Sequence, residues 1–244
     1  MKRYTQAEFD AFERDEKGVK YCPTGDYSQI KSFGDQCRFG DRCRFGDRCI
    51  FGKWCSFGAL CNFGEQCSFG EMCCFGEWCN FGKRCSFEEW CDFGKRCSFE
   101  ERCSFEKWCY FGECCRFGEC CSFGDRCYFG ECCRFGECCN FEECCSFGDR
   151  CSFGDRCIFG ERCNFEGIGR AKPGYPFAAW IGSGSRKGSK TYFFNLEQGI
   201  YVRCGGFLGT LPEFREEVRK THGTDGLAGE YLAIADLVER KFAE

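Results

Sequence analysis

Phe recurs every six residues without a gap from Phe33 to Phe165, 23 times, and Cys does the same from Cys37 to Cys163, 22 times. The unit is F-G-x-x-C-x, with Gly after Phe in 18 of the 23 units and Glu in the other five (Glu88, Glu100, Glu106, Glu142, Glu166). A fixed period of this kind decides the fold before local propensity does. A helix cannot hold a six-residue repeat on one face, because successive units precess by about 120° at 3.6 residues per turn. A short strand interrupted by a turn in every unit can. Side chains alternate along a strand, so each Cys and the Phe two residues later point to one side. The residue between them is free to be polar, as are the two after Gly, and Gly supplies the permissive backbone of a corner. The pattern predicts an all-β solenoid of short parallel strands with a Phe and Cys interior and a charged exterior.

These residues also carry a resemblance. Phe33, Gly34, Cys37 and their successors resemble the hexapeptide repeat of the left-handed parallel β-helix, with Phe in the aliphatic slot and Cys in the small-residue slot, over 133 of 244 residues. The resemblance implies a triangular coil of three hexapeptides. Residues 110–127 and 128–145 agree at 14 of 18 positions, which independently points to an 18-residue unit of duplication. Residues 33–165 then make about seven coils, a rod of roughly 35 Å at about 4.8 Å per coil. The Cys-Phe-Gly variant and the chain's tail also resemble repeat proteins of phages and their bacterial hosts, a likeness that implies no activity.

The flanks read as covers for the open ends of this rod, which are unpaired sheet edges. Residues 1–32 form an N-terminal cap, with a capping box at Thr5 and Glu8 and with Phe9 and Phe12 on a short helix. Residues 166–244 form a small βββαα capping module. Its linker is GIGRAKPGYP, its strands lie at 177–182, 191–196 and 200–207, and SGSRKGSK reads as a basic hairpin turn. A capping box at Thr210 and Glu213 starts a helix through about Thr221, and a second runs from Leu227 to Phe242 with Tyr231, Ile234, Leu237 and Val238 on one face.

Composition narrows the function. Cys contributes 30 residues, but the start of the chain has no apolar leader and no run is long enough to cross a bilayer, so a reducing cytoplasm is expected. Net charge is −4, and residues 33–165 carry 17 Lys plus Arg against 22 Asp plus Glu. That balance argues against nucleic acid and an anionic membrane as partners. The faces carrying Arg48, Gln66, Arg84 and Arg102 beside Asp47, Glu65, Lys83 and Glu101 read as solvated.

Three constellations could carry function. Sorting the residues before each inner Cys by side gives an outward apolar ladder of Trp54, Met72, Trp90 and Trp108, about 14 Å long. Such a ladder suits a protein partner or self-association, unless a flank of the chain covers it. The inner cysteines read as small apolar fillers. Cys22, Cys74, Cys114, Cys120, Cys132, Cys138 and Cys144 lie outside that slot, and Cys114 with Cys132 and Cys120 with Cys138 would stack as outward thiol pairs. They are candidates for a soft metal or reversible disulfides, although duplication of a coil produces the same pairing without function. Finally, the hexapeptide resemblance implies a possible acyltransferase with a catalytic His. The one His, His222, follows the solenoid at a helix C-terminus, so no position inherits that role. The sequence thus favours a non-enzymatic structural or protein-binding solenoid with no cofactor.

Overall fold

The computed structural model describes residues 1–154, 156–160, 162–166, 168–170, 172, 177–181, 190–223 and 226–243, with only the backbone at 177–181 and 190. Most of the expected linker and the basic turn SGSRKGSK lie outside the described residues. The chain divides into two compact units, Met1–Cys157 and Ile158–Glu244. Among the described residues no helix is long and apolar enough to cross a membrane.

The first unit is a parallel β-solenoid, and with the repeats that follow it the chain makes about eight turns. From Ile50 onward each strand of the repeat is two residues long, an outward residue followed by an inward Phe. Ser86–Phe87 pairs with Ser68–Phe69 and Ser104–Phe105, and the two strands that follow it in the same coil belong to two other sheets, paired in the same 18-residue register. Three sheets visited in turn give the triangular coil.

Phe fits the interior by geometry as well as by hydrophobicity. Phe87 lies parallel to Phe69 at 4.7 Å and to Phe105 at 4.8 Å. Within its own coil it meets Phe93 at 5.0 Å and Phe99 at 5.8 Å, both nearly perpendicular. Rings are therefore stacked along the rod and edge-to-face across it, the two arrangements a phenyl quadrupole favours. The bulk of Phe is accommodated because each ring turns its edge to the next column.

The corners depart from expectation. Positive φ falls on the residue before each inner Cys, at 56–64° in 22 non-glycine residues from Gln36 to Arg162, and not on the Gly after Phe. That Gly is needed for space. A Cβ on Gly112 would lie 2.8 Å from the Lys95 nitrogen of the coil below. Glu88 replaces Gly while keeping the bond from its N–H to Phe69 O at 3.0 Å, so a Cβ at this corner is compatible with the inter-coil ladder. The left-handed residue is held by its own inter-coil bond, as in Arg96 N–H to Glu113 O at 2.8 Å.

The inner cysteines are more than fillers. From Cys55 to Cys157 each thiol sits 3.3–3.6 Å from the carbonyl oxygen 21 residues earlier, the corner Gly or Glu of the preceding coil. The S–H group thus satisfies an inward carbonyl that an Ala or Val would leave without that donor.

The segment before Phe33 packs against the first rings of the solenoid. Helix α1 (Gln6–Asp10) starts at Thr5 with both bonds of its capping box formed. Tyr4 stacks on Tyr27 at 4.9 Å, Tyr27 on Phe45 at 5.6 Å, and Phe9 packs edge-on against Phe33 at 5.1 Å. Cys22 is buried, on a strand (Lys20–Cys22) paired to Cys37–Phe39 with Cys22 opposite Phe39, so it occupies an interior slot and not an outward one.

The second unit contains an antiparallel sheet of four strands, Phe177–Ile181, Lys190–Leu196, Gly199–Cys204 and Phe207–Thr210, paired in sequence order. The expected third strand is two, because Gly205 at φ 60° turns the chain between Cys204 and Phe207. Helices α2 (Leu211–His222) and α3 (Gly226–Ala243) follow, and α2 has its capping box at Thr210 and Glu213. Phe193, Val202, Phe214, Val218, Ala235 and Val238 form the core. Leu237 is 54 % exposed, since α3 buries the stripe through Ala228, Ala235 and Val238 and position 237 lies about 100° from 238.

Phe87→Ala should destabilise the solenoid by about 3–5 kcal/mol and Phe87→Leu by clearly less. Urea unfolding followed by circular dichroism checks both; equal midpoints for Phe87→Ala and wild type would remove the stacked core as the source of stability.

Candidate protein-binding face

The left-handed corner residue projects its side chain outward once per coil on each edge, so the 18-residue register stacks these side chains directly above one another. On one edge Trp54, Met72 and Trp90 are 44–51 % exposed and Trp108 is half-buried. The Trp54 indole N–H donates to Met72 Sδ at 2.8 Å. Trp90 and Trp108 stack at 5.0 Å with their planes 1° apart, and the Arg126 guanidinium lies 4.7 Å from the Trp108 ring centre. The solenoid thus brings all four residues of the expected ladder to one edge.

Sequence reading missed how far the aromatic surface extends. Tyr110 and Tyr128, two residues beyond Trp108 and Arg126, stack outward at 4.8 Å on the adjoining sheet. Trp78 stands on the next edge, 45 % exposed, with Arg96 over its ring at 4.8 Å. Sorting the residue after each inner Cys, as well as the one before it, at a spacing of 18 would have found all three.

Charge beside the ladder is neutralised between coils. Lys53 pairs with Glu71 at 2.9 Å and Lys107 with Glu89 at 3.2 Å. The supposed solvated face behaves likewise, with Lys83 on Glu101 at 3.1 Å. Pairs this exposed add little stability.

The thiols separate into two populations. Of 30 cysteines, 22 are buried, three are exposed (Cys74, Cys120, Cys138) and five are intermediate, Cys114, Cys132 and Cys144 among them. Hydrogen bonding to the thiols of Cys37 and Cys73, together with burial, holds the Cys55 thiol far above its ordinary range. Cys103 is raised in the same way by Cys121 and Cys85. Burial and then the neighbouring Cys114 raise Cys132, and the two line one groove. Cys120 and Cys138 share a different edge. Among the described residues no three metal-ligating side chains converge, so the outward thiols come as pairs and not as a four-thiolate cage.

His222 ends α2, with its ring 5.7 Å from that of Tyr231, and it lines a cavity of about 290 Å³ within the C-terminal module together with Cys204 and Glu217. Cys204 Sγ accepts the Thr191 hydroxyl at 3.2 Å.

In native protein a thiol reagent should react rapidly at Cys74, Cys120 and Cys138 and reach all 30 thiols only after unfolding. A near-zero count in denatured, unreduced protein would overturn the reduced interior. Against known proteins, no family model, no curated protein and no solved structure matches the chain; what stands is a parallel β-solenoid built on an 18-residue Cys/Phe repeat.

Proposed function

We propose that the protein is a rigid, non-enzymatic solenoid that binds a protein partner through the aromatic edge of Trp54, Met72, Trp90 and Trp108, with a second copy of the chain as one such partner. The observation that carries this reading is the exposed Trp90 and Trp108 stack, continuous with the Tyr110 and Tyr128 pair. Stacking holds each indole in one orientation before any partner arrives, so little side-chain entropy remains to be lost on binding. Contiguous exposed aromatic surface of this kind is rare on proteins that have no partner. A reducing cytoplasm suits the interior, because oxidised sulfur would lose the S–H group that the corner carbonyls use. A hexapeptide-type ancestry accounts for the coil without supplying catalytic chemistry, since function resides in sites and not in the coil itself.

Trp90→Ala combined with Trp108→Ala should leave the melting temperature within a few degrees of wild type, because both side chains lie outside the Phe core. It should weaken partner or self-association by about 2 kcal/mol or more, roughly 30-fold. Sedimentation equilibrium, and affinity capture followed by binding measurements with the captured protein, read this out. Unchanged mass and unchanged affinity in the variant would refute the proposal.

A further inference from the structure

One groove on the solenoid carries positive charge that the rod does not neutralise. Each of the four lysines between residues 33 and 165 has a Glu one coil away: Lys53 with Glu71, Lys83 with Glu101, Lys95 with Glu113 and Lys107 with Glu89. Arg96, Arg116 and Arg134 have no such partner, like the other described arginines of the repeat, and are set apart by converging on one groove. Among the described residues none of the three guanidinium groups is ion-paired. All three line one groove of about 420 Å³, together with the Ser98 hydroxyl and the Trp78 ring, and no carboxylate lines it.

The register sharpens the anomaly. Arg116 and Arg134 are direct partners on adjacent parallel strands, so two like charges stand about one strand spacing apart. Opposed like charges on a sheet are destabilising. An anion seated between them removes that repulsion, and two guanidinium forks one coil apart suit the oxygens of two linked phosphoryl groups. The positive patch is also short. The corner that follows each of these strands carries Glu119 and Glu137, which would repel an extended polyanion running across the face.

We propose that this groove binds a small phosphate-bearing polyanion of the pyrophosphate class, with Arg116 and Arg134 gripping the phosphoryl oxygens and Arg96, held over Trp78, closing one end. The site goes beyond the protein-binding reading and uses a different set of residues, so failure of either leaves the other standing.

Calorimetric titration of the full chain with sodium pyrophosphate at low ionic strength tests it. Saturable binding of one ligand per chain is expected, weakened at least tenfold by Arg116→Gln with Arg134→Gln and unaltered by Arg84→Gln with Arg102→Gln on another edge. Without ligand, the groove variant should melt no lower than wild type, which separates loss of binding from loss of fold. No saturable binding by wild type, or equal affinity in the groove variant, overturns the proposal. So does displacement of pyrophosphate by an oligoglutamate peptide at lower concentration, which would make the groove a site for an acidic protein segment.

Discussion

Two spacings coincide in this solenoid, and the rest of the structure depends on it. Adjacent strands in a sheet lie about 4.7–4.9 Å apart. Phenyl rings in successive coils stack at 4.6–5.2 Å along the first part of the rod. One translation therefore satisfies the backbone ladder and the aromatic core together, so a two-residue strand is enough in every unit. Three columns of rings fill the triangle edge-to-face, which leaves the second inward position room only for a small side chain. Cys fills that space and also reaches the corner carbonyl below.

Much of this was legible in the sequence, because periodicity reports directly on what repeats. The interior slots, the 18-residue coil, both capping boxes and the stacking of Trp90 over Trp108 follow from counting. What escaped counting has physical reasons. The thiol's acceptor lies 21 residues back, a relation that exists only after the coil closes. The left-handed corner carries Arg, Trp, Cys, Gln, Leu or Met, none of which advertises positive φ as Gly or Asn would. Gly was assigned to the corner's torsion when it serves the corner's clearance, since both demands select the same residue. In the C-terminal module no repeat averages out local ambiguity. There the split strand at Gly205 and the exposed Leu237 turned on single residues.

The exterior is as ordered as the core, by a different rule. Each of the four lysines of the repeat pairs with a glutamate at the same corner position of a neighbouring coil, while residues 33–165 as a whole carry 17 basic against 22 acidic residues. Two departures stand out against that background. One is a continuous aromatic edge, and the other is a short groove on which three arginines converge. Each is built by stacking identical or similar side chains at one address in successive coils, and a solenoid that grows by duplicating whole coils produces such surfaces readily.

The left-handed corners bear on how such a chain can acquire its structure at all. A non-glycine residue in that conformation is disfavoured, by about 1–3 kcal/mol when strain of this type is measured, and every coil contains three of them. From Gln36 to Cys132 their compensating bonds run to the next coil. A lone coil would bear the strain and receive none of the compensation, so a minimum number of consecutive coils must form together before any is stable. The solenoid should then assemble from a multi-coil nucleus and extend by one coil at a time. The aromatic cluster of Tyr4, Phe9 and Tyr27, which gives the first coil a neighbour on its open side, is a natural place for that nucleus to begin.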